Sequence, residues 1–91
     1  MAAQTLEASV RRADGASAAA IIDLRGDIDG TSEAVLNTAY AEAGALNPSA
    51  ILLNFGDVEY INSTGIALIV GVLAQARKAK RHISTFGLSD H

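Results

Sequence analysis

Short apolar runs alternate with turn residues, and the period of those runs changes along the chain. Leu6, Ala8 and Val10 alternate with Glu7, Ser9 and Arg11. That two-residue period predicts a half-buried strand. Ala13-Asp14-Gly15 is a turn signal, and residues 18–24 read as a second strand hairpinned to the first. Gly26-Asp27-Ile28-Asp29-Gly30-Thr31 reads as a connecting loop, with Asp29 or Thr31 placed to cap the helix that follows. Leu36, Ala39, Tyr40 and Ala43 recur at helical spacing and define its inner face. Gly44 is the expected helix stop, and Asn47-Pro48 a turn.

Residues 50–55 form a continuous apolar run, as expected of a strand covered on both faces in a parallel pairing. A loop over residues 56–61 leads to Asn62-Ser63-Thr64-Gly65 and then to a long segment, residues 66–80. Its first half contains Ile69, Val70 and Val72 and by composition suits a strand. Its length and basic tail favour a helix. Ile66, Ile69, Val70 and Leu73 fall at i, i+3, i+4 and i+7, which marks one face. Leu68 and Val72 point roughly the opposite way at 100° per residue, and that second apolar face needs a cover. Residues 81–86 read as the last strand. The order β-β-α-β-α-β predicts one α/β domain over residues 1–91: a mostly parallel, mixed four-stranded sheet with helices packed against it.

Composition supports a folded globule: 49% of the 91 residues are apolar, with only Tyr40, Phe55, Tyr60 and Phe86 aromatic. Net charge is −3. The one basic cluster, Arg77, Lys78, Lys80 and Arg81, sits where a helix C-terminus favours cations. A nucleic-acid partner is not expected. The absence of cysteine excludes disulfides and thiolate metal sites. No basic-then-apolar leader occupies residues 1–12, and no apolar run reaches the roughly 18–20 residues of a membrane span. A cytoplasmic protein is expected.

Chemistry concentrates at the Asn62-Ser63-Thr64-Gly65 turn, because a helix start presents unpaired N–H groups and the positive end of the helix dipole. Asn62, Ser63 and Thr64 are all capable of capping there, and Gly65 permits close approach. A phosphate on Ser63 would add about −1.5 to −2 charge at a place that accepts anions. Asp23, Asp27, Asp29, Asp57 and Glu59 lack the spacing of a calcium loop, so no metal is expected. A Ser63–His82–Asp triad would lack a Gly-x-Ser-x-Gly elbow, and no Gly-rich phosphate loop is present. Neither an enzyme nor a cofactor is expected.

Asp57-Val58-Glu59-Tyr60-Ile61-Asn62-Ser63-Thr64-Gly65-Ile66-Ala67 resembles the signature of STAS domains, the family of bacterial anti-sigma factor antagonists. Leu24-Arg25-Gly26-Asp27-Ile28-Asp29 and Gly87-Leu88 also resemble that family's pattern, and the element order matches across almost the whole chain. The resemblance implies a partner switch. The unphosphorylated domain binds a partner that is both anti-sigma factor and serine kinase. Phosphorylation of the turn serine, here Ser63 with Thr64 the weaker candidate, breaks that complex, and a phosphatase restores it. Asp29, Asn62, Ser63, Thr64, Gly65, Leu68 and Val72 are then the expected partner surface. Two features depart from the family pattern: Asn62 stands where Asp is usual, and a C-terminal helix is expected to be missing or truncated at His91. A homodimer through the second apolar face, a scaffold role in a stress-signalling assembly, and an accessory role in a transport system are the alternatives the resemblance allows.

Overall fold

The computed structural model describes residues 5–13 and 18–88. Its elements are β1 (Glu7–Arg12), β2 (Ala19–Ile28), a 3-10 turn (Gly30–Ser32), α1 (Glu33–Ala45), β3 (Ala50–Ile61), α2 (Ser63–Lys78) and β4 (His82–Phe86). The strands form one sheet in the order β1-β2-β3-β4. β1 is antiparallel to β2, and β2–β3 and β3–β4 are parallel. This is the expected α/β architecture with the expected element order. The turn anticipated at Ala13-Asp14-Gly15 falls, at Asp14 and Gly15, outside the described residues.

Alternation along the strands decides what each face of the sheet does. Ala20, Ile22 and Leu24 of β2 and Ile51, Leu53 and Phe55 of β3 join Leu36, Ala39 and Ala43 of α1 and Ile69 and Val72 of α2 in one buried cluster. Each fully buried Ile or Leu there contributes about 1.5–3 kcal/mol relative to exposure. The intervening positions carry a polar ladder across three strands. The Asp23 carboxylate accepts from Arg11 Nε at 2.7 Å and from Asn54 Nδ2 at 2.8 Å. Asn54 Oδ1 in turn accepts from the Gly56 N–H at 2.9 Å.

β2 and β3 run further than their apolar runs indicate, to Ile28 and Ile61 rather than to residues 24 and 55. The extra residues pair with one another, Arg25 with Asp57, Gly26 with Val58 and Ile28 with Ile61, so backbone bonding carries both strands through the turn-like Gly26-Asp27 and Gly56-Asp57. The register shifts between Asp23 and Arg25 and between Gly26 and Asp27. Gly26 accommodates the irregularity at φ 99°, a conformation that favours glycine.

Helix α1 buries Leu36, Ala39 and Ala43, as its spacing predicts. Tyr40 is half-buried, and its buried hydroxyl has no hydrogen-bond partner among the described residues. Gly44 does not end this helix. The helix continues through Ala45, and Asn47 takes the left-handed conformation at φ 55°, donating its N–H to the Gly44 carbonyl at 2.9 Å.

Helix α2 is rotated relative to the sequence expectation. Its buried line is Gly65, Ile69, Val72 and Ala76. Val72, expected on the second, uncovered face, is 4% exposed in the core. Leu68 is half-buried and lines, with Val72, a shallow groove of about 150 Å³ between α1 and α2. The outward apolar residues are instead Ile66 and Val70, at 52% and 57% exposure. Residues 66–70 offer no polar side to set the rotation. What sets it is size: Gly65 lets the start of the helix approach Ile28 closely, and Ala76 is fully buried further along the same line.

Candidate functional site

The end of β3 delivers the chain into α2, and Asn62 makes the transition. Its backbone is extended, at φ −101° and ψ −179°, and its side-chain oxygen accepts from the Gly65 N–H at 2.8 Å. This is the cap that satisfies one of the unpaired donors of the first turn. The Asn62 N–H donates to the Ile28 carbonyl at 3.2 Å, and its own carbonyl accepts from Ile66 N–H at 2.9 Å. An amide side chain performs this capping with its oxygen, so Asn62 holds the turn without adding a charge.

Gly65 fixes the position of the turn against β2. A Cβ on Gly65 would lie 2.2 Å from the Ile28 carbonyl oxygen and 2.7 Å from its carbon. Only a residue without a side chain fits that approach.

With Asn62 capping, neither Ser63 nor Thr64 is needed for the cap. Ser63 is the first residue of α2 and is exposed; Thr64 is also exposed. The Thr64 methyl would meet a Cβ placed on Gly30 at 3.4 Å, so the 3-10 turn lies directly alongside. Asp29 opens that 3-10 turn. Its Oδ1 accepts from the Thr31 N–H at 2.9 Å and from the Thr31 hydroxyl at 2.6 Å. The Ser32 hydroxyl accepts from Asp29 N–H at 3.0 Å and donates to the Asp27 carbonyl at 3.3 Å. The Thr31 hydroxyl, then its N–H, hold the Asp29 carboxyl below the usual carboxylate range. Asp29 therefore stays ionised beside the turn at neutral pH.

The fold thus brings Asp29, Asn62, Ser63, Thr64 and Gly65 together and takes Val72 away into the core. The 3-10 turn between β2 and α1 was not anticipated. Its sequence signal is Asp29 followed three residues later by Ser32, a hydroxyl able to bond back to the Asp29 N–H.

A Ser63–His82–Asp triad is ruled out by distance. His82 pairs with Ala50, the first residue of β3, whereas Ser63 follows the last. At ~3.3 Å per strand residue, roughly 35 Å separates them. Among the described residues no group of three His, Asp or Glu side chains could hold a metal ion, and no helix is long and apolar enough to cross a membrane. The turn offers two exposed hydroxyls, Ser63 and Thr64, at the positive end of a helix.

Comparison with known proteins identifies the family. The curated anti-sigma-F factor antagonist RsfB of Mycobacterium tuberculosis (strains CDC 1551 / Oshkosh and H37Rv) is 28% identical over 81 residues, covering 76% of this chain and 66% of the relative. This chain therefore spans just under two thirds of that relative's length. The crystal structure of an anti-sigma factor antagonist from Mycobacterium paratuberculosis superposes with a TM-score of 0.72 at 18% identity, covering 89% of this chain and 66% of that one. The anti-sigma factor antagonist SpoIIAA in its unphosphorylated form superposes with a TM-score of 0.63 at 16% identity over 89% of this chain and 74% of that one. Its phosphorylated form, described as the Bacillus cell fate determinant SpoIIAA, gives 0.57 at 20% identity over 90% and 75%. These superpositions show a shared fold. A family model described as "Mlab, STAS domain" matches residues 11–91, and the chain belongs to that STAS family.

Proposed function

We propose that this chain, as a single STAS module acting in the cytoplasm, is an anti-sigma factor antagonist and not an enzyme. It binds an anti-sigma factor that is also a serine kinase, and phosphorylation of Ser63 ends the complex. The observation that carries this reading is the division of labour at the turn: Asn62 caps α2, and Ser63 stands exposed as the first helical residue. A kinase therefore reaches the hydroxyl without unwinding the helix.

The physics of the turn supports a switch. A phosphate on Ser63 sits at the positive end of α2, next to the backbone N–H groups of its first turn, so the fold tolerates it. A partner packed over the same serine would have to desolvate about two negative charges, which costs several kcal/mol. The contact surface is Asp29, Asn62, Ser63 and Thr64, with Leu68 reachable from the α1–α2 groove; Gly65, packed on the Ile28 carbonyl, and Val72 lie beneath it. A phosphatase acting on Ser63 resets the switch. Relatives named anti-sigma factor antagonists, and a similarly folded protein known in phosphorylated and unphosphorylated forms, support this role.

The test is incubation of the full chain with ATP and each anti-sigma factor kinase of its genome, read by intact mass and peptide mapping. One phosphate on Ser63, its loss in Ser63→Ala, and release of the kinase on modification are expected. No phosphate and no complex with any of these kinases would refute the proposal.

A further inference from the structure

The charge of −3 is not spread evenly over the fold. β2 and β3 are parallel and end together, placing Asp27, Asp29, Asp57 and Glu59 at one end of the sheet. Antiparallel β1 adds Glu7, which pairs with Arg25 at 3.9 Å, and α1 begins there with Glu33. The other end holds Arg12, opposite Ala20, the α2 terminus with Arg77 and Lys78, and Lys80 and Arg81 before β4, with Glu42 near the end of α1 as an acidic exception. The structure is a rod of 42 × 25 × 22 Å with an acidic end and a basic end.

Four of the six exposed large apolar side chains among the described residues flank Asn62; the other two are Phe86, opposite Asn54 midway along β3, and Leu88. Tyr60 is 58% exposed and Ile61 36%, just before the Asn62 cap, and Ile66 and Val70 lie just after it. Ser63, Ile66 and Val70 fall at i, i+3 and i+7, within about 60° of one another around α2. Among the described residues, none of the exposed large apolar side chains lies at the basic end.

We propose that this end of the molecule is an apolar docking surface with an acidic rim, built for a protein partner whose contact face is apolar with a rim of Lys and Arg. The proposal rests on the reading of Ser63 as a partner contact and adds the chemistry of the partner. A second copy of this chain does not fit. Two-fold packing of this end on itself brings like-charged rims together. Head-to-tail packing offers a basic end without apolar anchors. The two parts of the surface do different work: the acidic rim speeds encounter with a basic partner, and Ile66 and Val70 slow its release.

The experiment measures association and dissociation of the full chain with the kinase that modifies Ser63, by stopped flow, from about 20 to about 500 mM NaCl. The association rate is expected to fall about tenfold or more over that range. Asp57→Asn with Glu59→Gln lowers the low-salt association rate several-fold, while Lys78→Gln with Lys80→Gln leaves it within about twofold. Ile66→Ala with Val70→Ala raises the dissociation rate by about tenfold or more. All these positions are exposed, and thermal melts confirm folding of each variant. A salt-independent association rate, or wild-type kinetics for Asp57→Asn with Glu59→Gln, overturns the docking proposal and leaves the phosphoswitch standing. If no kinase binds at any salt, both readings fall. A wild-type homodimer dispersed by Ile66→Asp assigns the surface to a second copy and also overturns the proposal.

Discussion

Replacing Gly65 by alanine tests how the switch turn is held. In an open helix position the change is favourable, because alanine exceeds glycine in helix propensity by about 0.8–1.0 kcal/mol. At position 65 the new Cβ falls 2.2 Å from the Ile28 carbonyl oxygen. Ordinary carbon–oxygen contacts need about 3.3 Å, so the start of α2 must move by roughly 1 Å. Overpacking of this kind costs about 1–3 kcal/mol. The movement also strains the Asn62 cap on the Gly65 N–H, at 2.8 Å, and the Asn62–Ile28 bond, at 3.2 Å. Losing a cap costs about 1 kcal/mol. The net expectation is a destabilisation of about 2 kcal/mol. Gly71 in the same helix is the internal control, since a Cβ there meets nothing within 4 Å. Gly71→Ala should stabilise by close to the full propensity difference, about 1 kcal/mol. Urea unfolding of the three proteins, with unchanged m-values, should therefore separate the two alanine variants by about 3 kcal/mol. Equal stability of Gly65→Ala and Gly71→Ala would refute the claim that α2 is seated on β2 through Gly65.

Further outcomes follow from the packing and the polar ladder. Val72→Ala should cost about 2 kcal/mol in urea unfolding, and Val70→Ser less than about 0.5, because Val72 is in the core and Val70 is not. Tyr40→Phe should be neutral or stabilising, by up to about 1 kcal/mol, since it removes a buried hydroxyl without a partner among the described residues; a clear loss of stability would show that the hydroxyl is satisfied. The hydrogen bond from Arg11 does most to hold Asp23 below its ordinary value of 3.8, with Asn54 assisting. A carboxyl lowered on folding stabilises above its unfolded value and loses that effect as pH falls through its folded value. The stability difference between wild type and Asp23→Asn should thus be full at neutral pH and shrink as pH falls below 3.8 through the lower folded value, as read by thermal melts across pH. Asn62→Asp should retain the cap and strengthen the unmodified helix by about 0.3–1 kcal/mol through the dipole, while Asn62→Ala should weaken it by about 1 kcal/mol.

Much of the architecture was legible from hydrophobic period alone. The alternation at Leu6, Ala8 and Val10, the helical spacing of Leu36, Ala39 and Ala43, and the unbroken run before Phe55 each named their element. The extent of β2 and β3 was not legible, because Gly26-Asp27 and Gly56-Asp57 read as turn residues, whereas backbone pairing carries both strands through them. The rotation of α2 was obscured by apolar residues on every side. Its solution lay in the small residues, with Gly65 and Ala76 marking the line of closest approach, while reading Leu68 and Val72 as an uncovered face followed size in the wrong direction. At the candidate site, the turn itself was visible, but the division between Asn62 as cap and Ser63 as free hydroxyl was not. Three consecutive residues there can all cap a helix, and only the Asn62–Gly65 bond distinguishes them. A carboxylate and an amide oxygen can both accept that bond, so Asn62 keeps the cap while leaving no charge beside Ser63.

The central claim is that Ser63 is the point at which phosphate decides partner binding. The most direct measurement is the affinity of the full chain for the anti-sigma factor kinase before and after stoichiometric phosphorylation, with the Ser63→Ala variant alongside. Expected are tight binding of the unmodified chain, a loss of at least about a hundredfold on phosphorylation, equivalent to about 2.7 kcal/mol, and binding by Ser63→Ala that ATP no longer abolishes. Equal affinity of the phosphorylated and unmodified chains, or phosphate found elsewhere than Ser63, would contradict it.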